Sequence, residues 1–315
     1  MTNRQKIVQL REKIYFSLNQ IVGKQCILLD APYYHNIGDV LIWTGVQCFL
    51  KDNSIECLYT ASYETCTFPE IDEKVTVLFN GGGNLGDMYH EHMDFLLSVT
   101  EHYPNNRIVV LPQTVYYQDE SIEREDFGRL LKHLHFYICA RDKKAYSHLK
   151  EYFGNKTLLL PDMAFCISSQ RLKPYIKEQT KEKLIIERAD CEKGAAKMNE
   201  DGDVSDWPVF THSFRKSTFI NKLFKRISDA SIPVVSSLSN RLWNWYAPLF
   251  FNELMIREGV EFISPYKYIE TARLHGGILS ILLDKDVTVV NNSYGKNKNF
   301  YDSWLSDVEN VHLKV

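Results

Sequence analysis

A chain of 315 residues suits two domains of about 150 residues each. Its 44% hydrophobic and 24% charged content is that of a globular protein, and a formal net charge of -3 excludes a global field that would recruit nucleic acid or an anionic membrane. Seven cysteines without a C-x-x-C pair exclude a disulfide framework and a zinc site, and they point to a reducing, cytoplasmic setting.

The first 18 residues are amphipathic and charged, without the apolar stretch and cleavage site of a secretory leader. No later run approaches the roughly 18 apolar residues that cross a bilayer. Short apolar runs then alternate with amphipathic segments. Residues 26–30, 75–80, 107–111, 136–140 and 157–160 read as buried strands of a parallel sheet, with helices over 39–51, 90–101, 121–133 and 143–152. This alternation predicts a doubly wound α/β domain over 1–167.

A polar, basic stretch with Pro174, residues 168–182, reads as the linker into a second domain over 168–315. There strands are expected at 183–187, 233–236, 260–263 and 287–290, and helices at 213–229, 241–257 and 275–283. Residues 189–211, rich in Asp, Glu, Lys and Gly, read as a structureless loop of the length that serves as an active-site lid. The fold class is therefore α/β, with two Rossmann-like domains in tandem and the carboxyl ends of both sheets around one cleft, where ligands of such sheets bind. Up to residue 165 the chain holds 16 Lys and Arg against 21 Asp and Glu. Beyond it 21 face 19, so the second half is the better match for an anion.

The chemistry-bearing segments stand at the expected strand ends. Asn36-Ile37-Gly38-Asp39 opens a helix, as a capped turn or a ligand-facing loop. Gly81-Gly82-Gly83-Asn84-Leu85-Gly86-Asp87 follows an apolar strand. Three consecutive glycines are a poor packing choice, offset if their amides approach a phosphate, carboxylate or sugar. Gln113 ends the next strand, and Arg141-Asp142 and Pro161-Asp162 end two more, where the acids cap turns and Arg141 pairs with one of them. Arg188 offers a fork for carboxylate or phosphate, with Asp190 and Glu192 as acid, base or partners of it. Arg273-Leu274-His275-Gly276-Gly277 precedes an apolar helix, where glycine amides favour an anion and His275 would carry a proton. Ser293 and Lys296 lie on a glycine-containing loop after the last strand. His90/His92 and His133/His135, two residues apart, diverge on helices and read as surface residues. Trp243, Trp245 and Tyr246 read as core packing.

Taken in order, 36–39, 81–87, 111–114, 140–142, 161–164, 188–192, 273–276 and 291–296 resemble the polysaccharide pyruvyl transferase family over most of the chain. Family members commonly carry Asp where Asn291 stands and Thr where Ala189 stands. The resemblance implies a two-domain fold similar to GT-B glycosyltransferases, with no metal or organic cofactor. It implies phosphoenolpyruvate as donor and a sugar with two suitably placed hydroxyls, carried on a lipid diphosphate, as acceptor. Arg273 and His275 match the family's donor-binding and catalytic pair. On this reading His275 is the general acid and Asp190 or Glu192 the base. Arg188, Arg273, Gly276, Ser293 and Lys296 hold the donor; Asn36, Asp39, Gly82, Gly83, Asn84, Asp87 and Gln113 face the acceptor. A lipid-linked acceptor would draw the protein to the inner leaflet through partners or the amphipathic N-terminus. The alternatives are a sugar-nucleotide glycosyltransferase of the same fold and a non-catalytic carbohydrate-binding partner.

Overall fold

The computed structural model describes residues 1–188, 198, 201–207, 212–228, 233–293 and 295–315. Helix α1 (Asn3–Leu18) precedes a seven-stranded sheet of β1 (Gln25–Leu29), β2 (Glu56–Ala61), β3 (Thr76–Phe79), β4 (Gly82–Gly86), β5 (Ile108–Tyr116), β6 (Phe136–Ala140) and β7 (Thr157–Leu159). The order is β2-β1-β3-β5-β6-β7, with β4 added beside β5, and every pairing is parallel. Parallel strands buried on both faces need apolar residues at consecutive positions, which is why 26–29 and 76–79 lack alternation. Helices α2 (Ile37–Asp52), α3 (His90–His102), α4 (Glu120–Leu130) and α5 (Lys143–Phe153) connect the strands.

After a short helix α6 (Ser169–Leu172), β8 (Lys181–Ile186) begins a five-stranded sheet with β9 (Asp203–Ser205), β10 (Tyr266–Thr271), β11 (Asp286–Val290) and β12 (Val311–Lys314). Its order is β12-β11-β10-β8-β9, again parallel. Its helices are α7 (His212–Ser228), α8 (Pro233–Tyr246), α9 (Asn252–Ile263), α10 (Leu274–Leu282) and α11 (Lys296–Trp304), with a π-helical turn over Ala247–Phe251 joining α8 to α9.

Both sheets are α/β as expected, but two of the expected strands are helical. Residues 233–236 open α8, where Pro233 sits in the first turn and so removes no needed donor. Residues 260–263 are the last turn of α9, with Val260 and Ile263 buried three residues apart. The strand between the second sheet's neighbours is instead 266–271, just after Pro265. Strands 56–61, 82–86 and 311–314 and helix 296–304 were not expected. Nor is 189–211 wholly structureless, because β9 pairs with β8 within it; the rest of that loop lies outside the described residues apart from 198 and 201–207.

One apolar cluster lies behind α3, α4 and α5 on one face of the larger sheet. The other joins the two sheets through α1, α2, α9 and α10. Helix α2 is apolar nearly all round, as a helix enclosed by protein should be: Val40, Leu41, Ile42, Val46 and Phe49 are all buried. It passes so close to 163–164 that any Cβ on Gly45 would collide with the Met163 carbonyl.

The amphipathic N-terminus is not a free lipid anchor. Leu10, Ile14 and Leu18 of α1 are buried in the joining cluster, against α10. Thr2 and Gln5 form a capping box at its start. Asn3 donates to the Lys285 carbonyl at 3.0 Å, Lys6 pairs with Asp307 at 2.8 Å, and the terminal amine donates to the Asp307 carbonyl at 2.6 Å. Ile14→Ala should therefore lower unfolding stability by about 2–5 kcal/mol in a urea titration; an unchanged midpoint would mean that α1 is not docked.

Candidate active site

The loops after β1, β3, β6, β8, β10 and β11 meet at a cavity of ≈ 630 Å³. All are carboxyl ends of parallel strands, where open α/β sheets bind ligands. Its lining includes Asn36 and Asp39 at the start of α2, Gly83 and Asn84 of β4 and Arg141 beyond β6 on the larger sheet's side, and Arg188, Arg273, His275 and Lys296 on the smaller sheet's.

Asp162 lies at the join and is fully buried. One oxygen accepts from the Ala164 amide at 2.9 Å; the other accepts from Arg141 Nη1 at 2.8 Å and faces His275 Nε2 at 3.2 Å. Arg141 is buried too, and its Nε and Nη2 reach Thr114 Oγ1 at 3.2 and 2.8 Å. Burial alone would push the Asp162 carboxyl up, but His275 and Arg141 outweigh it and hold the group well below the usual carboxylate range.

His275 stands in the first turn of α10, whose backbone cap is Arg273. Its Nδ1 side lies over Gly38 at the start of α2, and a Cβ there would collide with the ring. Glycine at 38 thus keeps the place that the imidazole fills. Asn36 caps α2 by accepting from the Gly38 amide at 2.9 Å. Asp39 accepts from Asn36 Nδ2 at 2.7 Å and from the Tyr34 hydroxyl at 2.9 Å, and Asn84 Nδ2 reaches that hydroxyl at 3.2 Å. Burial raises the Asp39 carboxyl, against the opposing pull of His275, Tyr34, His92 and Lys296. Arg273 clasps Asp206 through Nε and through Nη2 at 2.7 Å, so a residue just beyond β9 occupies its fork.

Of the residues expected in the site, Asn36, Asp39, Gly83, Asn84, Arg188, Arg273, His275 and Lys296 line this one cavity. Others lie behind or beside it. Gln113 is buried and donates to the Asn80 carbonyl at 2.8 Å. Gly82 is packed between Asp39 and Gln113, and Gly276 lies against Thr271, whose Oγ1 is 2.6 Å from the place of a Cβ. Asp87 holds the next loop by accepting from the Gln118 and Asp119 amides at 2.7 and 2.9 Å. Ser293 is exposed on a turn. Asp190 and Glu192 lie outside the described residues.

Two histidines expected on the surface are buried. His133 bonds the Tyr103 carbonyl at 2.9 Å. His92 lines the cavity with Nδ1 2.8 Å from Asp30 Oδ1; burial would lower its pKa, but Asp30 raises it overall. Asp30 holds a positive φ of 63° directly after β1, which turns its carboxylate toward α3. Trp243 is in the core, whereas Trp245 is 58% exposed. Tyr34, standing two residues before Asn36, and Trp207, next to Asp206, also line the cavity and escaped sequence reasoning.

The Asp162 pairing generates a pH prediction. A carboxylate whose folded pKa is depressed adds stability above its ordinary value, and that stability is lost as the pH falls. Asp162→Asn should cost about 3–5 kcal/mol at neutral pH by leaving Arg141 buried without its counter-charge. The gap to the parent protein should narrow as denaturant titrations are taken below about pH 4. A gap independent of pH would contradict the pairing.

The profile of the family described as polysaccharide pyruvyl transferase matches residues 36–294. EpsO of Bacillus subtilis, a protein whose name places it among the pyruvyl transferases, is 32% identical over 99% of this chain and 96% of its own. Pyruvyl transferase 1 of Schizosaccharomyces pombe is 26% identical over 90% of this chain and 70% of its own. The solved structure of an uncharacterized protein of Klebsiella pneumoniae superposes with a TM-score of 0.66 over 97% of this chain and 98% of that one; at 20% identity it speaks for the fold alone. The match across most of the chain, with the strand-end loops inside it, takes the protein out of the non-catalytic reading: it is a transferase, and it belongs to the polysaccharide pyruvyl transferase family.

Proposed function

We propose that this enzyme transfers the enolpyruvyl group of phosphoenolpyruvate to a sugar of a surface polysaccharide repeat unit, capsular or exopolysaccharide, and closes it to a pyruvate ketal. The observation that carries this reading is the convergence of Arg188, Arg273 and Lys296 with His275 on one cavity. Phosphoenolpyruvate brings a carboxylate and a phosphate, so it calls for several cations beside one proton carrier. Two Rossmann-like domains in a GT-B-like arrangement, divided near residues 167 and 168, would put the donor on the C-terminal side and the sugar on the N-terminal side.

The chemistry runs through the enol phosphate. His275 protonates the methylene carbon, and positive charge develops at the carbon bearing the phosphate. A sugar hydroxyl attacks that carbon and gives up its proton, the C–O bond to phosphate breaks, and phosphate leaves. A second hydroxyl then closes the ring and releases its own proton. Arg188, Arg273 and Lys296 hold the carboxylate and the departing phosphate. For Arg273 this means exchanging Asp206 for the donor, so the 201–207 segment is coupled to donor arrival. Asp39 is suited to receive a hydroxyl proton, being a buried carboxylate with a raised pKa that faces the cavity. Asp190 and Glu192 remain the base candidates of the neighbouring loop. The acceptor is proposed to be carried on a lipid diphosphate, which brings the enzyme to the inner face of the membrane.

Titration calorimetry with phosphoenolpyruvate tests the donor. The wild type should bind it, and Arg273→Ala should lose binding. His275→Ala should keep binding and lose at least about 10²-fold in phosphate release with acceptor present. Turnover of His275→Ala within about tenfold of the parent would remove His275 from the acid role. With Asp39 as base, the acid limb of the pH–rate profile should lie above the ordinary carboxylate value of about 4 and vanish in Asp39→Asn.

A further inference from the structure

Helix α8, continued by the π-helical turn, has its amphipathic order inverted. Ser239, Trp243 and Ala247 face inward, while Val234, Leu238, Leu242, Trp245 and Leu249, three or four residues apart, are 49–78% exposed. Helix α7 shows the same on a smaller scale, with Phe219 and Leu223 one turn apart and 69% and 48% exposed. These are not core residues of the helix pair: the two helices are joined by other side chains, with Phe224 stacked on Trp243 at 6.2 Å and Ser239 bonded to the Phe224 carbonyl. The π-helical turn adds Phe250, 50% exposed and 5.5 Å from the Trp245 ring.

Charge tells what covers this face. Residues 212–251 hold six Lys and Arg and a single acid, Asp229, in a chain whose net charge is -3. Exposed Lys216, Lys222 and Arg226 stand within one turn of Phe219 or Leu223, and Arg241 lies beside Leu242. Lys225 is held by Glu64. Large apolar side chains ringed by cations, with a tryptophan among them, form the pattern of a helix lying in the headgroup region of an anionic bilayer. A second copy fits poorly, because isologous pairing of this face would set cations against cations.

We propose that α7, α8 and the π-helical turn are a docking surface for a membrane rich in anionic lipid. The surface adjoins the cavity: Thr218 Oγ1 lies 2.7 Å from His35 Nε2, Asn221 donates to the Tyr33 carbonyl at 3.0 Å, and Phe251 meets the His35 ring at 5.2 Å, with His35 lining the cavity. Docking would thus bring a lipid-borne substrate to the cavity rim. In this purpose the proposal rests on the lipid-linked acceptor, although the surface itself does not.

Co-sedimentation with vesicles of phosphatidylglycerol and phosphatidylcholine in equal parts, against phosphatidylcholine alone, is the test. The wild type should pellet with the anionic vesicles and be released by salt. Leu238→Ser with Trp245→Ser, and Lys216→Glu with Lys222→Glu, should each weaken retention by roughly tenfold or more with unchanged thermal melting. Failure of the wild type to bind, or equal retention of all variants, overturns the proposal. So does light scattering that shows a dimer split by the same apolar substitutions without vesicle binding, which would assign the face to a second copy. Phosphoenolpyruvate titration of the same preparations keeps the two readings apart: a protein that binds vesicles but no donor leaves the docking surface standing and sinks the donor.

Discussion

The site depends on one buried carboxylate. Asp162 follows the last strand of the larger sheet, yet it faces His275, which is 113 residues further along and opens a helix of the smaller one. A fully buried anion is tolerable only while cations and donors surround it, so Arg141 and the Ala164 amide are as necessary as the histidine. The same contact aligns the imidazole against Gly38 and leaves its rim open to the cavity. Orientation of the histidine and the joining of the two sheets are in this way one constraint.

Around that constraint the charges are divided. Carboxylates at 39 and 162 lie on the larger sheet's side, guanidinium groups at 188 and 273 on the smaller sheet's, and Arg141 crosses the pattern because its partner is Asp162 rather than a ligand. Asp206 fills the fork of Arg273 in the structure. Such a carboxylate keeps a guanidinium in place at little cost and can be exchanged for another anion of the same shape.

Five strands of the larger sheet were legible because they are apolar runs ended by a polar residue, as after Phe79 and Ala140; β2 and β4, half-exposed and glycine-rich respectively, were not. The smaller sheet was less so. Val234-Val235 looks like a strand, and only the helix packing reveals those valines as outward residues; the true strand 266–271 mixes Lys267 and Glu270 with its apolar positions, and Glu270 is buried beside Lys183 and Lys314. In the site, Arg273 and His275 could be found from neighbouring glycines. The Arg141–Asp162 pair was one of two that the strand-end acids allowed, and the structure selects it over Asp142; the His92–Asp30 pair could not be found, since partners 62 residues apart leave no local spacing to read. Residues such as Asp87 and Gln113 have the right chemistry at a strand end but are taken up by backbone groups.

Helix α1 bears on how the chain reaches this state. Its buried face is completed by α10, and its polar residues bond to 284, 285 and 307. During synthesis α1 must therefore wait, apolar face uncovered, until α10 and the residues up to 307 have been made. Closure by contacts of such sequence separation is slow and cannot proceed domain by domain from the front. Docking of α1 is consequently a late event in folding, since it closes only on residues made long after the helix itself.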